Sequence, residues 1–238
     1  SISRGLVAVG IQAGRVMLID LETGRTVLDY WTGNTVKDVD IAEKTGHMGA
    51  ASWDGGFYYF SPDKGLLWSM FMGSSTSRSV AVSSDGSSVT FTARGIFHFE
   101  NASTSSPVLA WHTLYGPAPP REYNINNAAD ASSDGNYILL GDGFKAALYG
   151  RDGTPLETVL LNETENFIWG VLVKDDGSMF LLRDSNGMVF VFRRQPGPLA
   201  GDVVPPAILS VSHSPEEPEY GDKVTVRVNA TDPGSGLD

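Results

Sequence analysis

The sequence predicts an all-β chain: a β-propeller followed by the opening strands of a second β module. Three observations carry this. A unit of roughly 40 to 50 residues recurs along most of the chain. It is made of short alternating strands closed by Gly and Asp-Gly turns, and a connector rich in Pro and Gly follows it. A four-stranded sheet that is apolar on both faces cannot hide them alone, whereas sheets stacked radially bury both against their neighbours. No helical periodicity competes with the alternation.

Leu6-Val7-Ala8-Val9-Gly10 and Arg15-Val16-Met17-Leu18-Ile19-Asp20 read as the second and third strands of a first blade whose innermost strand is missing. The next unit is degenerate: Val39-Asp40-Ile41-Ala42 leads to Gly46, then Ala50-Ala51-Ser52, an Asp54-Gly55 turn and Phe57-Tyr58-Tyr59-Phe60. A clearer copy follows. Leu67 to Gly73 closes one unit, Arg78 to Val82 runs into Ser83-Ser84-Asp85-Gly86, and Val89 to Ala93 and Ile96 to Phe99 complete it. In the next unit Trp111 stands five residues before Gly116, as Trp68 stands before Gly73, and Ser132-Ser133-Asp134-Gly135 repeats the turn. The last unit has Val171-Leu172-Val173, Asp175-Asp176-Gly177, Met179 to Leu182 and Met188 to Phe192.

The turns at Thr45, Asp85, Asp134 and Asp176 lie 40, 49 and 42 residues apart. Gly follows Asp because a tight hairpin turn needs positive φ. With the strand before each such turn innermost, the expected blades have 3, 4, 4, 4 and 3 strands. An unclosed ring exposes an edge, so the expectation is a piece of a longer polypeptide with further blades upstream. The alternative is a five-bladed ring with some strands unrecognised.

Residues 1–194 thus form the propeller blades, and 195–206, Gln195 to Pro206, form a semi-rigid linker. Residues 207–238 hold two alternating stretches, Ala207 to Ser214 and Lys223 to Thr231, around an acidic turn, with no core to cover them.

Composition excludes several functions. Asp and Glu number 28 against 17 Lys and Arg, a formal charge of -11 with no basic block, which removes the electrostatic basis for binding nucleic acid or anionic lipid. With no Cys there is no disulfide, thiolate nucleophile or Cys-ligated metal. The apolar runs fall far short of the roughly 20 residues of a membrane span, so no direct membrane insertion is expected of this segment.

Catalytic and metal chemistry has little to build on. His47, His98, His112 and His213 are scattered, without metal-ligand spacing, and Gly234-Ser235-Gly236 lies in a terminal turn rather than a nucleophile elbow. Asp142, Asp152, Asp175, Asp176 and Asp184 fall near turns, where carboxylates accept backbone N–H groups; an acid–base pair among them stays open. Asp232 and Asp238 fit an Asx turn or calcium. Trp31, Trp53, Trp68, Trp111 and Trp169 are read as fillers between blades, with carbohydrate stacking as the alternative. Three sequons, at Asn101, Asn162 and Asn229, fall at loops or strand ends and are glycosylation candidates.

The Trp-before-Gly and Ser-Ser-Asp-Gly pattern through residue 194 resembles the WD40-like or pyrroloquinoline-quinone-type propeller repeats of archaeal surface-layer and other exported proteins. The blades lack the Trp-Asp dipeptide of WD40 scaffolds and the Asp-box of sialidases. Pro205-Pro206, Gly221-Asp222-Lys223-Val224-Thr225-Val226 and Thr231-Asp232-Pro233-Gly234 resemble the opening of an immunoglobulin-like module of exported proteins. The resemblance implies a non-enzymatic extracellular structural or interaction protein: a modular cell-surface, surface-layer or filament component, glycosylated and without cofactor. Its expected partners are further protein subunits, including copies of itself, or cell-envelope components. The alternative is an enzyme or sensor holding a small molecule or glycan in the central channel, marked by charged side chains converging there.

Overall fold

A computed structural model describes residues 2–3, 5–73, 77–93, 95–114, 128–161, 167–194, 207–215, 223 and 225–231. The chain divides into two compact units, Ser1–Arg194 and Gln195–Asp238.

The first unit is a series of antiparallel sheets. The first blade contains β1 (Ile2–Ser3), β2 (Leu6–Gly10), β3 (Arg15–Asp20) and β4 (Thr26–Trp31) in that order. The second has β5 (Val36–Ile41), β6 (Met48–Ser52), β7 (Gly56–Ser61) and β8 (Gly65–Phe71), and the third β9 (Ser79–Val82), β10 (Ser88–Thr92), β11 (Gly95–Glu100) and β12 (Val108–Leu114). The fourth has β13 (Ala128–Ala131), β14 (Tyr137–Asp142), β15 (Lys145–Gly150) and β16 (Pro155–Leu160), and the fifth β17 (Ile168–Val173), β18 (Met179–Asp184) and β19 (Val189–Arg193). One expectation is corrected. The first blade does have an innermost strand, because Ile2 and Ser3 pair with Val7 and Leu6; two residues are too short a run for alternation to reveal.

Inner strands meet in series, β5 against β9, β9 against β13 and β13 against β17, while β2 packs on β5. Among the described residues no comparable packing joins the first blade to the fifth. Apolar layers fill each blade-to-blade gap. Ala8, Val16, Leu18 and Leu28 meet Val36, Met48, Ala50 and Phe60 between the first two blades. Phe57, Tyr59 and Trp68 meet Val80, Val82, Phe91 and Phe99 between the next two. Ile96 packs with Ile138 and Leu140, and Leu139, Ala146 and Leu148 pack with Ile168, Val173, Phe180 and Leu182. Position in the series decides the burial pattern: β6 and β7 are buried at every residue, whereas β19 alternates between exposed and half-buried. A blade with neighbours on both sides has no solvent face; a terminal blade keeps one.

The Asp-Gly turns also set the spacing between blades. Gly86 (φ +71°) would bring a Cβ within 2.8 Å of Thr45 Oγ1, and Gly135 (φ +71°) within 2.6 Å of Ser88 Oγ, each on the preceding blade. Glycine therefore meets two demands there, the left-handed backbone and the close approach.

The second unit is described as a hairpin of β20 (Ala207–Ser214) and β21 (Thr225–Thr231), paired from Ala207 opposite Thr231 to Ser214 opposite Thr225. Val226 and Val228 are exposed on it. The linker at 195–206 lies outside the described residues.

Candidate functional site: the channel mouth

Adjacent inner strands belong to separate sheets, and polar side chains cross the gap between them. Asp38 Oδ2 accepts from Ser79 Oγ at 2.6 Å and from the Val80 N–H at 3.1 Å, and Asp40 Oδ2 accepts from the Val82 N–H at 2.8 Å. Ser79 Oγ in turn accepts from the Ala129 N–H at 3.1 Å, and Asp130 Oδ2 from the Val173 N–H at 2.7 Å. These groups strap the second blade to the third, the third to the fourth and the fourth to the fifth. Burial pushes the Asp38 carboxyl above its usual range, with Asp40 adding repulsion, and pushes Asp130 up to about 6, again with Asp40 contributing.

At the end where the inner strands begin, Lys37, Asp38, Arg78, Ser79, Ala128, Trp169 and Arg183 line a pocket of about 480 Å³. Two local distortions aim side chains into it. The β5–β6 register slips between Val36 and Asp38, and the β17–β18 register slips between Ile168 and Gly170, so Lys37 and Trp169 are the extra residues of two β-bulges. A bulge re-aims the side chain it carries. Lys37, Arg78 and Trp169 share one phase of the repeat, each four residues before the last residue of its inner strand, Ile41, Val82 or Val173. The Lys37 Nζ lies 4.5 Å from the Trp53 ring centroid, and the Arg183 guanidinium lies 6.0 Å from that of Trp169. Among the described residues, none of Lys37, Arg78 and Arg183 has a carboxylate within ion-pair distance. Burial lowers the Arg78 pKa, so its charge is partly desolvated.

The tryptophans divide. Trp68 (8% exposed) and half-buried Trp111 fill gaps as expected, their indole N–H groups donating to Ala102 O and Arg151 O, both at 2.8 Å. The reading of the other three as fillers is corrected, since Trp31, Trp53 and Trp169 are 61%, 42% and 50% exposed. Strand direction puts all three, with exposed Phe71, at the mouth end. Their rings have no neighbouring blade to cover them there.

The remaining candidates do not converge on this pocket. Asp152 accepts from Thr154, Asp175 from Ser133 and Asp176 from Ser178, all at turns. Asp184 is fully buried and accepts from the Asn186 and Met188 N–H groups. Asp142 ends β14, and burial raises its pKa. His98 is buried between Thr90 and Glu100, His47 stacks on Tyr59, His112 stacks on Phe97, and His213 lies in β20. No group of three metal-ligating side chains occurs among the described residues. Asn101 is exposed at the β11–β12 turn with φ +53°, and Asn229 pairs with Ser210 in the hairpin. Asn162, Asp232, Asp238 and the Gly234–Gly236 turn lie outside the described residues.

Reading the sequence strand by strand missed Lys37, Arg78, Arg183 and the straps at Asp38, Asp40 and Asp130. Stacked on the turns at Thr45, Asp85 and Asp176, Arg78 and Trp169 fall seven residues before the turn and Lys37 eight, so the shared phase of all three shows only against the strand ends.

Antiparallel sheets packed face to face in series, inner strand beside inner strand, define a β-propeller. The chain is similar to a crystal structure of the β-propeller domain of Cps50 (Swd1) from Myceliophteria thermophila, with a TM-score of 0.64 and 10% identity, covering 82% of this chain and 64% of that one. At that identity the likeness is one of fold, and this chain spans under two thirds of that structure. No protein-family profile matches the sequence, and no curated protein is similar to it in sequence.

Proposed function

We propose that this chain is a non-enzymatic interaction module of an exported, modular cell-surface protein, and that its propeller engages its partner at the channel mouth. The observation that carries the reading is the pair of bulges at one repeat phase that turn Lys37 and Trp169 into a pocket already lined by Arg78 and Arg183. A bulge interrupts a ladder, and two at equivalent positions fit selection for what the side chains meet. The WD40-like or pyrroloquinoline-quinone-type repeats and the sequon at exposed Asn101 support a glycosylated surface protein. The β20–β21 hairpin fits the opening of an immunoglobulin-like module that links to the next module or subunit. The tying of Asp152 and Asp176 into turns, and of Asp175 to Ser133 on the preceding blade, supports recognition over catalysis.

The test is co-sedimentation of the protein with cell-envelope material of its own source. The Lys37→Gln/Arg78→Gln/Arg183→Gln variant is expected to lose retention, while Lys44→Gln/Lys174→Gln, at the opposite end of the channel, keeps it. Equal retention of all three proteins overturns the assignment of the mouth.

A second reading, an enzyme or sensor in the channel, draws on the raised carboxyls of Asp38 in the mouth and of Asp130. Turnover of a small molecule that is abolished by Asp130→Asn would favour it.

A further inference from the structure

We propose that the channel mouth binds a carboxylate-bearing sugar, a uronic acid residue of an acidic polysaccharide, with the carboxylate on Arg78 and Arg183 and the pyranose face on Trp169. This inference rests on the mouth being the interaction site and adds the chemistry of what enters it.

Each part of the pocket restricts the ligand. Arg78 is half-buried, is partly desolvated and has no carboxylate within ion-pair distance among the described residues. A guanidinium in that state is completed by a planar anion that accepts two parallel N–H bonds, as a carboxylate does. The pocket is not uniformly cationic, however. Asp38 lines it beside Ser79, and Asp40 and Asp130 are coupled to the same strands below. Asp38 repels a phosphate dianion or polyphosphate and instead accepts hydroxyl donors, so the fitting ligand brings one carboxylate to the arginines together with several hydroxyls. The wall supplies the third element. Trp169 is 50% exposed, held by its bulge against Arg183, and Trp53 stands 42% exposed beside Lys37 on the second blade. A rigid, half-exposed indole offers an apolar platform, and a pyranose presents the flat C–H face that matches it. The volume of about 480 Å³ suits one or two sugar rings and lies within the range of small-ligand pockets. A formal charge of -11 over the chain opposes a highly charged polyanion, and short or sparsely charged uronate segments avoid that repulsion.

The test is isothermal titration of the whole chain with trigalacturonate, with neutral galactotriose, triglutamate and inorganic phosphate as comparison probes. Trigalacturonate is expected to bind, at least tenfold tighter than galactotriose, and to weaken as salt rises. Arg183→Gln and Trp169→Ala, both at exposed side chains, are each expected to weaken it at least tenfold while the thermal unfolding midpoint stays near that of the parent. Tighter binding of triglutamate or phosphate, or equal binding of galactotriose, overturns the sugar-acid assignment. Absence of trigalacturonate binding overturns it too. In each of these cases mouth-dependent envelope retention leaves the interaction site standing; loss of that dependence removes both.

Discussion

Asp130 offers a quantitative test of the strapped inner strands. Its carboxylate accepts the Val173 N–H at 2.7 Å, yet burial, with repulsion from Asp40 and Asp175, raises its pKa from 3.8 to about 6. The folded chain therefore holds this proton more tightly than the unfolded chain. Protonation stabilises the fold below the unfolded pKa; that gain is lost as pH rises through the folded value, and above about 6 the charge carries its full cost. A shift of roughly two units at about 1.4 kcal/mol per unit makes that cost about 3 kcal/mol. Asp130→Asn keeps an oxygen for the Val173 N–H and has no charge at any pH. Stability of variant and parent, from urea unfolding at about pH 3.5 and about pH 7.5, should differ by an amount that moves about 3 kcal/mol in favour of the variant between the two conditions. Comparing the two proteins at each pH cancels the carboxylates they share, including Glu100 and Asp85, whose pKa values are lowered and which destabilise both in acid. A difference that stays flat with pH, or moves toward the parent as pH rises, would refute the burial of a charged strap.

Other consequences follow from packing. Gly135→Ala forces a left-handed residue with its Cβ 2.6 Å from Ser88 Oγ, and a loss of about 1 to 3 kcal/mol is expected in denaturant unfolding. Phe57→Ala empties a site where the ring stacks on Phe91 at 4.6 Å, and should cost about 3 to 5 kcal/mol by the same measurement. Trp53→Ala, at a 42% exposed ring, should change stability by less than about 1 kcal/mol while reducing envelope retention. In material from its own source, Asn101→Gln should remove one glycan by intact mass; an unchanged glycan mass would exclude the modification at that turn.

How much of this was legible beforehand follows from what a linear pattern can hold. Period-two alternation and Asp-Gly turns report local backbone demands, and so they located β9 to β11 and β13 to β15 and the inner position of the strand before each turn. The two residues of β1 carry no period and went unseen. The filling role of Trp68 and Trp111 was readable because both precede the Gly at the same offset in consecutive units. Trp31, Trp53 and Trp169 lack that offset, standing two, two and one residues before a Gly. Their exposure depends on where the neighbouring blade ends, which is a property of the stack.

The repeating four-stranded unit, and the radial stacking that its two apolar faces require, follow from residue order alone. Lys37, Arg78 and Trp169 stand eight, seven and seven residues before their turns, so their common phase depends on where the inner strands end. That these three and Arg183 share one pocket, and that Asp38, Asp40 and Asp130 cross between blades, comes from the packing of the blades. A bulge is a slip between paired strands, and a strap joins residues 41 to 50 positions apart. Neither leaves a mark in the local pattern, because both arise from how separate sheets meet.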